Sequence, residues 1–146
     1  MDGGPCAIGL ESTIVALLPG EPARLLREGA ITRAALEAIV GPLSSARAGI
    51  QAPGMLDSHY APRGQVRLNA DAPGPGEFSI GFGQSGPADF NLSPDGDLTA
   101  AAARLYAALR AADAAGSVAI AVAPILEHGL GAAINDRLRR AAAPRD

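Results

Sequence analysis

"LTAAAARLYAALRAADAAGSVAIAVAPI", residues 98–125, sets a long helical pattern directly against a short apolar one. Leu98, Ala102, Leu105, Leu109 and Ala112 recur at alternating spacings of four and three, the stripe of an amphipathic helix. Asp95 or Asp97 offers a carboxylate cap for its first turn. Residues 117–125 then run almost wholly apolar, the composition of a strand buried on both faces of a parallel sheet. Upstream, "FSIGFG" (78–83) reads as a second buried strand and residues 66–68 as a third. Downstream, Leu130, Ile134 and Leu138 mark a last helix ending near Ala143, ahead of Pro144. Strand, helix, strand, helix argues for a small α/β unit with a right-handed crossover.

The chain before this unit reads differently. "STIVALL" (12–18) is β-branched and apolar, "PGEPA" turns the chain, and "RLLREG" pairs back or leads onward. Thr32 caps a short helix through Val40, which Gly41-Pro42 stops. A zone this short is near the lower limit for enclosing a core. Its strand needs neighbours that the chain does not obviously supply, so it reads as the end of a larger domain. Between the two zones, "APGMLDSHYAPRG" (52–64) sets His59 and Tyr60 among prolines that exclude a helix or central strand. Taken alone, such a pair fits a surface loop whose tyrosine lies on the nearest apolar patch.

Composition narrows the function classes. The 146 residues are 48% hydrophobic and 18% charged with a net charge of −3, which gives no general electrostatic pull toward nucleic acid or an anionic membrane. All twelve cationic residues are arginine, so neither a Schiff base nor a lysine phosphate clamp can come from this chain. Cys6 is the only cysteine; an internal disulfide is excluded, and a reducing, cytoplasmic setting fits. The first residues lack the pattern of a signal peptide, and no apolar run approaches membrane-spanning length.

Several motifs compete for a functional reading. "GFGQSG" has the glycine spacing of a dinucleotide loop, but "PADFNLSP" follows and cannot open the helix that such a loop requires. Arg137, Arg139 and Arg140 on the last helix are offset by Asp136 and read as a solvated face; direct RNA contact is not expected. Glu127 and His128 lack further partners at metal-ligand spacing. Ser12 and Thr13 stand where a strand begins, and Arg27 where the next strand-like segment ends. A guanidinium there can hold a phosphate or carboxylate, or form a structural ion pair.

In order, "DGGPCAIGLESTIVALL", "RLLREGAIT", "APGMLDSHYAP", "NLSPDGDLTAAAARLYAALRAAD" and "GLGAAINDRLRRAAAPR" resemble the C-terminal half of the long, Sua5 form of the threonylcarbamoyl-AMP synthases, the YrdC/Sua5 family. The resemblance runs over essentially the whole chain. It implies an α/β architecture in three parts: residues 1–44 as the C-terminal part of a YrdC-like catalytic domain, 45–65 as a linker, and 66–146 as a small Rossmann-like Sua5 domain. It implies an enzyme that joins L-threonine, bicarbonate and ATP, with Mg2+ carried by the nucleotide. A separate tRNA threonylcarbamoyl transferase would then use the product.

By the same resemblance Ser12 contacts threonine, Arg27 contacts the ATP phosphates, and Tyr60 reaches back to the nucleotide, with Thr13 and His59 in support. The prolines would stiffen a strap over the bound adenylate. Two positions depart from the family pattern. Ala16 replaces an acid, and Glu28 replaces a proline, placing a carboxylate that either competes for Arg27 or points outward. The family's lysine-arginine motif and its Ser-x-Asn loop have no counterpart, so the chain alone is expected to be inactive. The alternative is a non-catalytic module that pairs with a separate N-terminal half or with the transferase.

Overall fold

The computed structural model describes residues 7–46 and 61–144. Two sheets organise them. The first is built from β1 (Ile14–Ala16), β2 (Arg24–Arg27) and β3 (Ser44–Ser45) in that order. β1 runs antiparallel to β2, pairing Ile14 with Arg27 and Ala16 with Arg24, with an irregularity between Ile14 and Val15. β3 lies parallel to β2, and α1 (Arg33–Val40) makes the crossover between them. As expected, Thr32 caps α1: its hydroxyl accepts from the Ala35 amide at 3.3 Å, and Gly41 ends the helix. No residue of α1 is buried.

The second sheet is wholly parallel and has the order β4 (Gln65–Arg67), β7 (Ala119–Val122), β5 (Phe78–Gly81), β6 (Phe90–Asn91). α2 (Leu98–Ala114) and α3 (Leu130–Ala142) pack on each other and close the core. The stripe read from the sequence is the buried face of α2, where Ala102, Leu105 and Ala112 are fully enclosed. Asp97, rather than Asp95, supplies the cap, accepting from the Thr99 amide at 2.8 Å. Ile80 and Ile120 from the central strands meet Leu92, Leu105, Ile134 and Leu138 in one cluster. This is an α/β fold with a parallel sheet. The strands are shorter than their apolar runs: Ala123 and Ile125 lie beyond the end of β7 and stay buried, whereas Leu17, Leu18 and Val118 are exposed. Two strands, β3 and β6, are only two residues long and carry no periodic signal of their own.

The segment before β1 docks on this second unit. Leu10 packs against the core cluster. Gly9 has φ +68°, and a Cβ there would lie 2.4 Å from the Ala103 Cα, so only glycine permits the approach to α2. Among the described residues no helix is long and apolar enough to cross a membrane.

The uneven burial sets a gradient of local stability. Amide exchange should be slowest in β5, β7 and α2, whose residues form the core, and fastest in α1. Peptide-resolved hydrogen exchange will check this; protection of α1 equal to that of β7 would contradict it.

Candidate functional site

The site begins with the end of β2. Arg27 is the last residue of that strand, and it extends across the sheet to Ser12. Its Nε donates to the Ser12 carbonyl at 2.9 Å, and an Nη donates to the Ser12 hydroxyl at 3.1 Å. The two residues named from the sequence are therefore joined. A hydroxyl has one donor and two acceptor positions, so Ser12, accepting from Arg27, keeps its own proton for a further acceptor. Ser12 is exposed and Arg27 half-buried.

Thr13 has a different task. Its hydroxyl accepts from the Ile31 amide at 3.0 Å and donates to the Ile31 carbonyl at 2.9 Å. It ties the start of the strand to the entry of α1 and supports the site without presenting its hydroxyl outward. Gly29 makes the closeness possible: a Cβ there would sit 2.4 Å from the Thr13 nitrogen and 2.6 Å from the Glu11 carbonyl oxygen. Glu28 turns its carboxylate toward Arg33, 3.8 Å away, so its charge pairs with that residue. Burial pushes the Glu28 carboxyl above its ordinary range, against the pull of Arg33. His59 and Tyr60 lie outside the described residues.

Behind Ser12 and Arg27 stands a residue that the sequence reading put on a solvated face. Arg137 is only 4% exposed. Its Nε donates to Glu11 Oε2 at 2.6 Å and an Nη to the Glu28 carbonyl at 2.8 Å, while Asp136 takes a third contact. Tyr106, which packs against the core cluster, also donates its hydroxyl to Glu11 Oε1 at 2.8 Å. Burial by itself would raise the Glu11 carboxyl, but Arg137 and Tyr106 outweigh it and hold it below the usual range. Burial likewise works against the charge on Arg137, and Glu11 more than restores it. The signal for Arg137 was present in the sequence. It falls seven residues after Leu130 and three after Ile134, on the apolar face of α3.

An open cavity of about 510 Å³ lies beside this cluster, walled by Leu10, Glu11, Pro62, Tyr106, Leu109 and Asp113 among others. Neither Ser12 nor Arg27 lines it. Among the described residues no three His, Cys, Asp or Glu side chains gather to hold a metal ion.

Residues 31–143 match the family described as the threonylcarbamoyl-AMP synthase C-terminal domain. Over 99% of its length the chain is 32% identical to a threonylcarbamoyl-AMP synthase of Bacillus subtilis. Over 97% it is 33% identical to one of Pyrococcus abyssi. It spans about half of each relative, 49% and 48%. P. abyssi Sua5 solved with L-threonine superimposes on 97% of this chain with a TM-score of 0.80 and 29% identity, this chain covering 48% of it. A variant of P. abyssi Sua5 with an adjacent histidine and tyrosine both changed to alanine gives a TM-score of 0.77 and 27% identity, with 97% of this chain and 47% of the variant covered.

The Glu11 carboxylate should make stability depend on pH. Its folded value lies below the ordinary 4.5, so its contribution is complete above that range and is lost as pH falls through the lowered value. Glu11→Gln should cost about 2 kcal/mol at neutral pH, or about 4–8 °C in melting temperature. That gap should stay constant down to about pH 5 and close at lower pH. Melting curves of both proteins across this range test it; a gap independent of pH would contradict the charged pair.

Proposed function

The chain belongs to the threonylcarbamoyl-AMP synthase family through its C-terminal domain, and on that premise we propose that it is the C-terminal half of an enzyme making threonylcarbamoyl-AMP. In that reaction the threonine amino group adds to bicarbonate, water leaves, and a carbamate forms. A carbamate oxygen then attacks the α-phosphorus of ATP, and the bond to pyrophosphate breaks. A separate transferase would pass the threonylcarbamoyl group to the adenosine beside the anticodon of certain tRNAs. The setting is the cytoplasm.

The observation that carries this reading is the Arg27–Ser12 link, with two hydrogen bonds from one guanidinium. Arg27 offers positive charge to the ATP phosphates, whose Mg2+ arrives with the nucleotide. Ser12, oriented by Arg27, offers its proton to threonine. Such work is positional and electrostatic, which suits a reaction needing charge neutralisation and alignment of three reactants. The threonine bound to P. abyssi Sua5, whose fold superimposes on nearly this whole chain, supports the substrate.

In the same reading residues 1–44 complete a YrdC-like catalytic domain, 45–65 form the linker, and 66–146 form the Sua5 domain. The exposed apolar side chains of Leu17, Leu18, Ile31, Ile39 and Val40 support a partner surface for the first part. Tyr60, assisted by His59, lies over the adenylate and limits water's access to a labile mixed anhydride. The alanine variant of a His-Tyr pair in P. abyssi Sua5 supports giving this dipeptide a role beyond packing.

Two measurements test the proposal. The chain alone, given ATP, L-threonine, bicarbonate and magnesium, should release no threonine-dependent pyrophosphate. Turnover of about 1 s⁻¹ or faster would contradict the reading that it needs the other half. With the N-terminal half restored, Tyr60→Ala should weaken ATP affinity or shorten adenylate lifetime by about 5- to 150-fold, the worth of one aromatic stack. Tyr106→Ala should lower the melting temperature instead. Loss of melting temperature in Tyr60→Ala with affinity and lifetime intact would return His59 and Tyr60 to a surface loop.

A further inference from the structure

The three groups that receive the Arg137 guanidinium are arranged in a telling way. Glu11 immediately precedes Ser12, and Glu28 immediately follows Arg27. One side chain on α3, from the other unit of the fold, therefore grips both residues that flank the Ser12–Arg27 link. Charge balance alone does not call for this. Glu11 already supplies a carboxylate to the guanidinium and Asp136, which Arg140 shares, supplies another, whereas the bond to the Glu28 carbonyl adds no formal charge. What that bond adds is geometry. A guanidinium is planar, and its donors point along a fixed fork, so two acceptors held by it keep a fixed separation and angle.

From this we infer that Arg137 is a positioning residue for the threonine and ATP site, setting the register of residues 11–13 against the end of β2. The inference rests on the proposed roles of Ser12 and Arg27. The fit at this point has little slack: a Cβ on Gly29 would already be 2.4 Å from Thr13. The side chain has no freedom of its own, since it is buried and fastened at three points. A shift of α3 thus reaches the site through Arg137 and not through a loose loop. Arg137 does not touch substrate in this scheme; it holds the groups that do.

Arg137→Lys separates positioning from charge. An ammonium retains the positive charge toward Glu11 but is a point donor and cannot reproduce the fork. The first arm uses the chain itself and reads the Arg27 Nε–H and the Ser12 and Thr13 amides by 15N NMR. These resonances should move in Arg137→Lys while amides of β5 and β7 stay in place. Should Arg137→Lys fail to fold, Glu11→Gln gives the same reading, because its amide oxygen still accepts from Arg137 without the charge. It should move the same resonances by less. Unmoved Arg27 and Ser12 signals in the folded variant overturn the inference.

The second arm uses the protein with its N-terminal half restored. Arg137→Lys should raise KM for both ATP and L-threonine and lower kcat/KM about tenfold, since a displacement near 1 Å can cost more than that. A variant that was merely less stable would lose active fraction, and therefore kcat, with both KM values unchanged; that result overturns the inference. If Arg27→Met and Ser12→Ala leave the kinetics intact, the proposed roles of Ser12 and Arg27 fail instead, and the NMR arm still decides whether Arg137 sets their geometry.

Discussion

A guanidinium that is 4% exposed has to be satisfied where it lies, because water cannot reach it. Arg137 meets that demand with Glu11, Asp136 and the Glu28 carbonyl, and two of these three come from the first sheet's segments. The two halves of the fold are consequently dependent on each other. α3 can bury its apolar face, Ile134 and Leu138 included, only if Arg137 goes in with them, one helical position away. Residues 9–11 can lie on α2 only if Glu11 finds a cation and Tyr106 finds an acceptor. Buried ion pairs contribute modestly to net stability, whereas removing one partner is expensive. Such an arrangement therefore specifies one geometry more than it deepens the folding minimum.

The sequence carried the regular elements well where length and period agreed. α2 spans nearly five turns with one stripe, of which Ala102, Leu105, Leu109 and Ala112 are buried together with Ala101 and Ala108, while Leu98 at its start is partly buried. α1 was legible from its ends, Thr32 and Gly41, although it buries nothing. β3 and β6 were not legible, because two residues cannot show a period of two. Their existence depends on neighbours distant in sequence: Ile80 pairs with Phe90, and Arg24 with Ser44. Arg137 was misread for another reason. Its neighbours Asp136, Arg139 and Arg140 look like a charged face, and Asp136 does bind Arg140 near the surface. The helical position of Arg137 outweighs that local company.

The candidate site was half legible on similar grounds. Ser12 and Arg27 could be chosen as residues, since both stand at strand ends. Their contact could not, because it follows from the antiparallel register that sets Ile14 against Arg27 and from the irregularity beside it. At Glu28, adjacency in sequence left two readings open, competition for Arg27 or an outward side chain. Along an extended strand successive side chains point to opposite faces. The Glu28 carboxylate accordingly goes to Arg33, and its backbone carbonyl, which no sequence pattern advertises, serves Arg137.

Support and exposure are distributed unequally around Ser12 and Arg27. Behind them lie Glu11, Tyr106, Arg137 and a core whose central residues are fully enclosed. Around them the first sheet leaves Leu17 at 68% exposure and Ile39 at 83%, apolar surface with nothing over it among the described residues. A sheet of three short strands and one helix cannot cover itself, and apolar surface gathered on one such element marks a place where another surface belongs. The supported side of the candidate site is thus backed by the second unit, through Arg137, Tyr106 and the docking of Leu10 on the core. The open side is the exposed apolar surface of the first sheet and α1, so the candidate site is braced from one side only.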